Sequence, residues 1–187
     1  MSKNTLGSQG FCKEYWDKNY SEPEEMDGLA NAKEHAHYLK SFLDLDLVQV
    51  SSVIDFGFGL GHLFEEMIKS FMPYRAYGLE PSSYAFSQFK KRYKKPADSI
   101  SLKLEKQDLV SWGNAQTKKS KYYDLGVCTS VFQYLTEDEI ERVLPVMAKQ
   151  VKYLYFSVPT NVELDRQISE LNFHDEYAKR RSKKFYR

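Results

Sequence analysis

Val53-Ile54-Asp55-Phe56-Gly57-Phe58-Gly59-Leu60-Gly61 decides how this chain is read. Ser51 to Phe56, with the apolar Val53, Ile54 and Phe56, has the character of a buried strand. Three glycines at alternate positions end it. Leu63, Phe64, Met67, Ile68 and Phe71 then recur at helical spacing over 60–72, and Pro73 stops the pattern. A strand that enters a glycine turn and leaves as a helix lets a ligand come close to the backbone and presents helix N-terminal amides to it. The dinucleotide form of such a turn, G-x-G-x-x-G, would need glycine at position 62, where this chain has His62. Its third glycine comes one residue early, at Gly61. Asp55 also stands two residues before the first glycine, where a carboxylate would repel a pyrophosphate and suit a cationic ligand. A nucleotide-dependent oxidoreductase is therefore disfavoured.

The same alternation continues outward. Residues 75–80 and 100–106 read as strands, and Ser82 or Ser83 can cap a helix carrying the stripe Phe86, Phe89 and Tyr93. Trp112 to Lys121 reads as a polar connection. Tyr123 to Cys128 is another apolar strand. Thr136 and Glu139 form a capping box that opens a helix through Ile140, Val143, Leu144 and Met147, with Pro145 set to kink or divide it. Val151 to Val158 is a strand, and 161–187 reads as two helical segments broken near Phe173-His174. Upstream, residues 1–10 read as a polar arm, Phe11 to Tyr20 as a short helix, and Ala32, Ala36, Leu39 and Leu43 as one face of another. Alternating strands and helices predict an α/β fold, a doubly wound, mostly parallel sheet with helices on both faces. Ligands of such sheets bind at the strand C-termini, where strand order reverses.

The order Asp-x-Gly-x-Gly-x-Gly at 55–61 resembles the first motif of the class I S-adenosylmethionine-dependent methyltransferases, which have this Rossmann-like fold. Tyr77-Gly78-Leu79-Glu80-Pro81, Lys106-Gln107-Asp108-Leu109 and the run from Tyr123 to Leu135 resemble that family's later landmarks, in the family's order. The resemblance spans residues 11–160. It implies S-adenosylmethionine as cofactor, held by Tyr15, Asp55, Phe56, Gly57, Gly59, Gly61, Glu80, Pro81, Asp108, Leu109, Thr129 and Ser130. In that family the acid matching Glu80 takes both ribose hydroxyls, and an Asp at the position of Asp108 accepts from the adenine amino group. The chain departs from the family in one respect. After Val158 few residues remain, and they read as helical where the family usually adds a last strand pair. A sheet lacking that pair would expose an edge that a homodimer could cover.

The implied reaction is in-line transfer of a methyl group from the sulfonium to a small-molecule acceptor. Such a reaction depends on alignment and exclusion of water, and needs a base only when the nucleophile must lose a proton. Gln133 and Tyr134, just after the fourth strand, are the candidates on the acceptor side; Tyr15 and Trp16 are candidates for a cover over the cofactor. His62, His35, His37 and His174 carry no metal or base pattern, and no metal site is expected. The organisation expected is one domain over 1–187: a helical N-terminal lid over 1–45, a cofactor-binding core over 51–160 and a helical segment over 161–187. A methyltransferase-fold scaffold without activity, or a truncated enzyme, is the alternative.

Composition bounds the rest. The 187 residues suit one domain with a sizeable core. Lys+Arg is 27 against 26 Asp+Glu, which gives no global electrostatic case for nucleic acid or an anionic membrane. The basic run 179–187 fits either a solvated helix or an anionic partner. Two distant cysteines, Cys12 and Cys128, form no disulfide framework, and neither a signal peptide nor a membrane span is read. A cytoplasmic setting is expected.

Overall fold

The computed structural model describes residues 10–19, 31–117 and 122–187. Residues 1–9 of the expected polar arm, Tyr20 of the expected short helix, and residues 118–121 of the expected connection lie outside them. In chain order the elements are α1 (Lys13–Asn19), α2 (Ala32–Leu45), β1 (Ser52–Asp55), α3 (His62–Phe71), β2 (Arg75–Leu79), α4 (Ser83–Arg92), β3 (Ser101–Glu105), α5 (Leu109–Ala115), β4 (Tyr123–Thr129), a 3-10 turn (Phe132–Tyr134), α6 (Glu137–Gln150), β5 (Val151–Ser157) and α7 (Asn161–Leu171).

The five strands form one parallel sheet in the order β3-β2-β1-β4-β5. All four β1 residues are buried, the apolar Val53 and Ile54 together with the polar Ser52 and Asp55 at its two ends. Successive side chains face opposite ways, so Val53 joins the core under α2, α3 and α4, while Ile54 joins the core under α5 and α6. The chain turns one way from β1, to β2 and β3, and later the other way, to β4 and β5. The C-terminal ends of β1 and β4 therefore flank the point where strand order reverses. Among the described residues the sheet ends at β5.

Most expected elements stand where the periodicity put them. Ala32, Ala36, Leu39 and Leu43 are the buried face of α2, which packs along α3 in the layer beneath the sheet. The capping box at Thr136 and Glu139 is complete, with both side chain to backbone bonds made. Three expectations need correction. Trp112 is not in a polar connection but buried in α5, because Leu109 and Trp112, three residues apart, make a short apolar face among polar neighbours. Pro145 leaves α6 undivided. The carbonyl it deprives of a bond is that of Glu141, and both residues lie on the exposed side, where water serves. Beyond Asn172, a left-handed cap, the chain is irregular rather than helical. There the guanidinium of Arg181 donates to the carbonyls of Phe132 (3.0 Å) and Leu135 (2.6 Å), and the Lys179 amide donates to Gln133 O (2.7 Å). These bonds tie 172–187 to the turn after β4, and Arg181 in the basic run is buried rather than solvated.

Candidate functional site

The expected ligand loop runs from Asp55 to Gly61 between β1 and α3. Gly61 has φ of 81° and caps α3 at its N-terminus; a Cβ there would stand 2.1 Å from the Phe89 ring. Only glycine meets both conditions. Gly59, with φ of 54°, presents its amide to Glu80 Oε2 at 2.8 Å. Glu80 follows β2, and its other oxygen accepts the Ser82 amide at 2.7 Å. One carboxylate thus bridges the β1 loop and the β2 loop. Asp55 accepts from the Gly57 amide at 3.1 Å.

Both acids are buried, at 3% and 4% exposure. Burial pushes the Glu80 carboxyl up to about 7, against the pull of the Ser82 and Gly59 amides. Burial also holds Asp55 well above the usual carboxylate range; the Gly57 amide opposes this and the charge of Glu80 adds to it. Burial, with Asp55 nearby, pushes the Cys128 thiol up as well. Among the described residues no cation offsets either carboxyl. Two buried acids held close by a glycine turn can accept hydrogen-bond donors or stand beside a cation.

The remaining sequence-derived residues divide by what their side chains do. Phe56 and Leu109 turn into the core beneath α5 and α6, leaving their backbones at the rim. Asp108 is the N-cap of α5; its two oxygens accept the Ser111 amide (2.8 Å) and hydroxyl (2.6 Å). Pro81 is half-buried after Glu80. Thr129 ends β4, and Ser130 follows it, exposed, with φ of 54°. Val131 crosses to the glycine loop: a Cβ on Gly57 would stand 2.6 Å from its methyl.

The N-terminal segment covers this loop. The Trp16 ring would be 3.3 Å from a Cβ on Gly59, and its Nε1 donates to Ser82 Oγ at 2.9 Å. Ser82 Oγ in turn donates to Phe11 O at 2.6 Å. Tyr15 Oη lies 3.2 Å from Tyr134 Oη, which donates to Asp175 Oδ2 at 2.6 Å. Phe11 packs edge-on against Tyr15 and Tyr134, and Tyr177 closes the group. Gln133 is buried at 3% exposure, and its Oε1 meets no donor among the described residues. Sequence reasoning missed Asp175, Tyr177 and Arg181. His174, weighed instead of its neighbour Asp175, is exposed. Among the described residues no three His, Cys, Asp or Glu side chains gather as metal ligands, and no helix is long and apolar enough to cross a membrane.

No curated protein matches the chain. Among solved structures, the plantazolicin methyltransferase BpumL in complex with a monoazolic desmethylPZN analog and SAH superposes with a TM-score of 0.61 at 15% identity, covering 84% of this chain and 58% of that one. Magnesium protoporphyrin IX methyltransferase (ChlM) from Synechocystis PCC 6803 with bound SAH gives 0.61 at 16% identity, covering 99% of this chain and 83% of that one. Streptomyces venezuelae DesVI gives 0.54 at 18%, covering 70% and 52%. The chain thus spans 58% of the plantazolicin enzyme's length. These likenesses establish the fold. A profile of the methyltransferase domain matches residues 53–153, from the second residue of β1 to the middle of β5 and more than half of the chain, so this protein belongs to the methyltransferase-domain family.

Proposed function

We propose that this chain binds S-adenosylmethionine over the Asp55–Gly61 loop and directs its methyl group to a small-molecule acceptor. The observation that carries the reading is the pair of buried, uncompensated acids, Asp55 and Glu80, on the two loops at the C-terminal ends of β1 and β2. Their fit to the cofactor is a matter of lone pairs and charge. Each Glu80 oxygen accepts one backbone amide and keeps a lone pair, suited to the two hydroxyls of a ribose. Asp55 suits the cationic methionine end. The backbone of Leu109, in the first turn of α5, suits the adenine edge, while the Asp108 carboxylate is engaged by Ser111. Thr129 and Ser130 border the methionine part, with Pro81 beside the ribose. When bound, S-adenosylmethionine supplies a methyl group on a positively charged sulfur, an electrophile that needs no metal.

The chain's own contribution is alignment and the exclusion of water. Trp16 and Tyr15 close the front of the loop. Tyr134 donates to the Asp175 carboxylate beside Tyr15, which suits its hydroxyl oxygen to accept from an acceptor hydroxyl or amine, with the proton relayed through Tyr134 ending on Asp175. The free Oε1 of Gln133 suits an acceptor N–H. Near-zero net charge supports a small acceptor over a nucleic acid. The free cysteines, Cys12 exposed and Cys128 buried, support a cytoplasmic setting. The second reading, a methyltransferase-fold binding protein without turnover, is favoured by the close seat of Trp16 on Gly59.

Isothermal titration with S-adenosylmethionine and its demethylated product tests the reading, alongside Asp55→Ala and Glu80→Ala. Micromolar binding lost in both variants is expected. A folded chain that binds neither compound overturns the proposal, and binding without turnover against any acceptor favours the second reading.

A further inference from the structure

Aromatic rings and one carboxylate gather beside the glycine loop. The Phe11 ring centroid lies 5.1 Å from that of Tyr15, 4.8 Å from Tyr134 and 6.3 Å from Tyr177, and Tyr15 and Tyr177 lie 5.8 Å apart. Tyr15 is edge-on to Trp16, the ring seated on Gly59. On the other side, the Tyr134 amide donates to the carbonyl of Val131, whose methyl meets Gly57. The group therefore borders the loop from both ends. Asp175 belongs to it: Oδ2 accepts the Tyr134 hydroxyl at 2.6 Å and Oδ1 accepts the Tyr177 amide at 3.1 Å. Among the described residues no Lys, Arg or His pairs with this carboxylate. The Arg181 guanidinium goes instead to the carbonyls of Phe132 and Leu135 and to the Phe185 ring. Gln133, beside Tyr134 in the same turn, buries an amide oxygen that meets no donor among the described residues.

These groups sort the nucleophiles that a methyl transfer could use. A carboxylate or phenolate would meet the like charge of Asp175. A hydroxyl has one hydrogen to offer. An ammonium has more, carries the charge opposite to that of Asp175, and is drawn to tyrosine faces by the ring quadrupole. We infer, resting on the cofactor site proposed above, that the acceptor is an amine, held as its ammonium ion by Asp175 and the rings of Tyr15, Tyr134 and Tyr177. The Phe11 ring, which all three tyrosines touch, moves aside with the N-terminal segment to admit it. An ammonium has no lone pair with which to attack. Tyr134 takes one of its protons while giving its own to Asp175, which leaves a neutral amine and a protonated carboxyl. The nitrogen lone pair then forms the bond to the methyl carbon, and the electron pair of the broken carbon–sulfur bond stays on sulfur. Positive charge passes from sulfur to nitrogen, so the product is a methylated ammonium ion beside a neutral thioether. Asp175 is only half-buried and returns its proton to water.

Cofactor binding is read first, by titration with the demethylated product. The saturated chain then receives benzyltrimethylammonium, a cation that takes no further methyl group, and in separate titrations benzyl alcohol and benzoate. Resonances of isotope-labelled tyrosine rings report each one. The cation is expected to bind with millimolar affinity and to move the Tyr134 and Tyr177 signals, with the alcohol and the benzoate at least about tenfold weaker. Asp175→Asn keeps an oxygen for the Tyr134 hydroxyl and removes the charge; about a tenfold loss for the cation and none for the alcohol is expected. Tyr177→Leu removes one ring face and is expected to weaken the cation about fivefold, whereas Tyr177→Phe keeps the face and the affinity. A chain that does not bind the product fails the cofactor reading, and this inference with it. A chain that binds the product but no cation, or takes the alcohol or the benzoate as tightly, overturns this inference alone. So does a cation affinity indifferent to both Asp175→Asn and Tyr177→Leu.

Discussion

Replacing Glu80 with Gln tests whether the buried acid governs both stability and ligand binding. In the wild-type protein burial raises the Glu80 carboxyl from an ordinary 4.5 to about 7. The folded chain therefore holds this proton more tightly than the unfolded chain. The resulting stabilisation is fully present below pH 4.5 and is lost as pH rises through 7. A shift of that size corresponds to about 3 kcal/mol. Gln cannot ionise. Its amide oxygen can accept from either Gly59 or Ser82, and its NH₂ then faces the other amide, a pH-independent loss of about 1–3 kcal/mol. Urea unfolding of both proteins without ligand, from pH 4.5 to 8, separates the two effects. The wild-type advantage over Glu80→Gln is expected to shrink by about 3 kcal/mol across that window and then level off. Asp55 titrates in the same direction in both proteins and largely cancels in the difference. A ligand that donates hydroxyls to the carboxylate favours the ionised form, so wild-type affinity for S-adenosylmethionine is expected to rise through pH 7. Glu80→Gln is expected to lose that rise, with about 10- to 100-fold weaker binding at pH 8, the worth of charge-assisted bonds. A stability difference that stays flat with pH refutes the argument, because it means that Glu80 is hydrated or paired and carries no burial penalty.

Gly61→Ala forces a Cβ to within 2.1 Å of Phe89 at a φ of 81°, and is expected to cost roughly 3 kcal/mol or more, read as a lower urea midpoint with unchanged slope. Arg181→Met leaves the Phe132 and Leu135 carbonyls buried without their donor. A loss of about 2–3 kcal/mol, with faster proteolysis within 172–187, is the expected result. Trp16→Phe keeps a ring on Gly59 but removes the bonds from Nε1 to Ser82 Oγ and Phe11 O. Amide exchange in α1 is expected to quicken about fivefold, the equivalent of about 1 kcal/mol, while β1 is unaffected.

What the sequence revealed of this fold was what neighbouring residues enforce on one another. The β1 strand, the glycine turn and α3 are contiguous, and each glycine answers a local backbone demand. Glu80 was legible because an acid ending a strand is conspicuous after an apolar run. α5 was hidden because its buried face is only Leu109 and Trp112, too short to show a period. The bond partners beyond the core were hidden for a different reason. Tyr134 meets Asp175 41 residues away, Arg181 meets Phe132 49 residues away, and Tyr15 meets Tyr134 119 residues away. No local pattern separates an Asp that reaches a tyrosine across the sheet edge from one that is merely solvated. Arg181 sits in a basic run that reads as surface for the same reason.

That division of the chain also divides its energetics. The glycine loop and its two acids are built into the central strands, where opening requires global unfolding. α1 is held differently. Beyond a small cluster of Tyr15, Trp16 and Ala85, its anchors include individual polar bonds, Trp16 to Ser82, Tyr15 to Tyr134 and Tyr84 to Asp17, each worth about 1 kcal/mol net. A segment of seven residues held by a few such bonds and rings can lift at a cost of a few kcal/mol while the sheet stays intact. A ligand bound on Gly59 and Glu80 beneath Trp16 requires this combination: a rigid floor that sets its position, and a cover that opens without disturbing the floor.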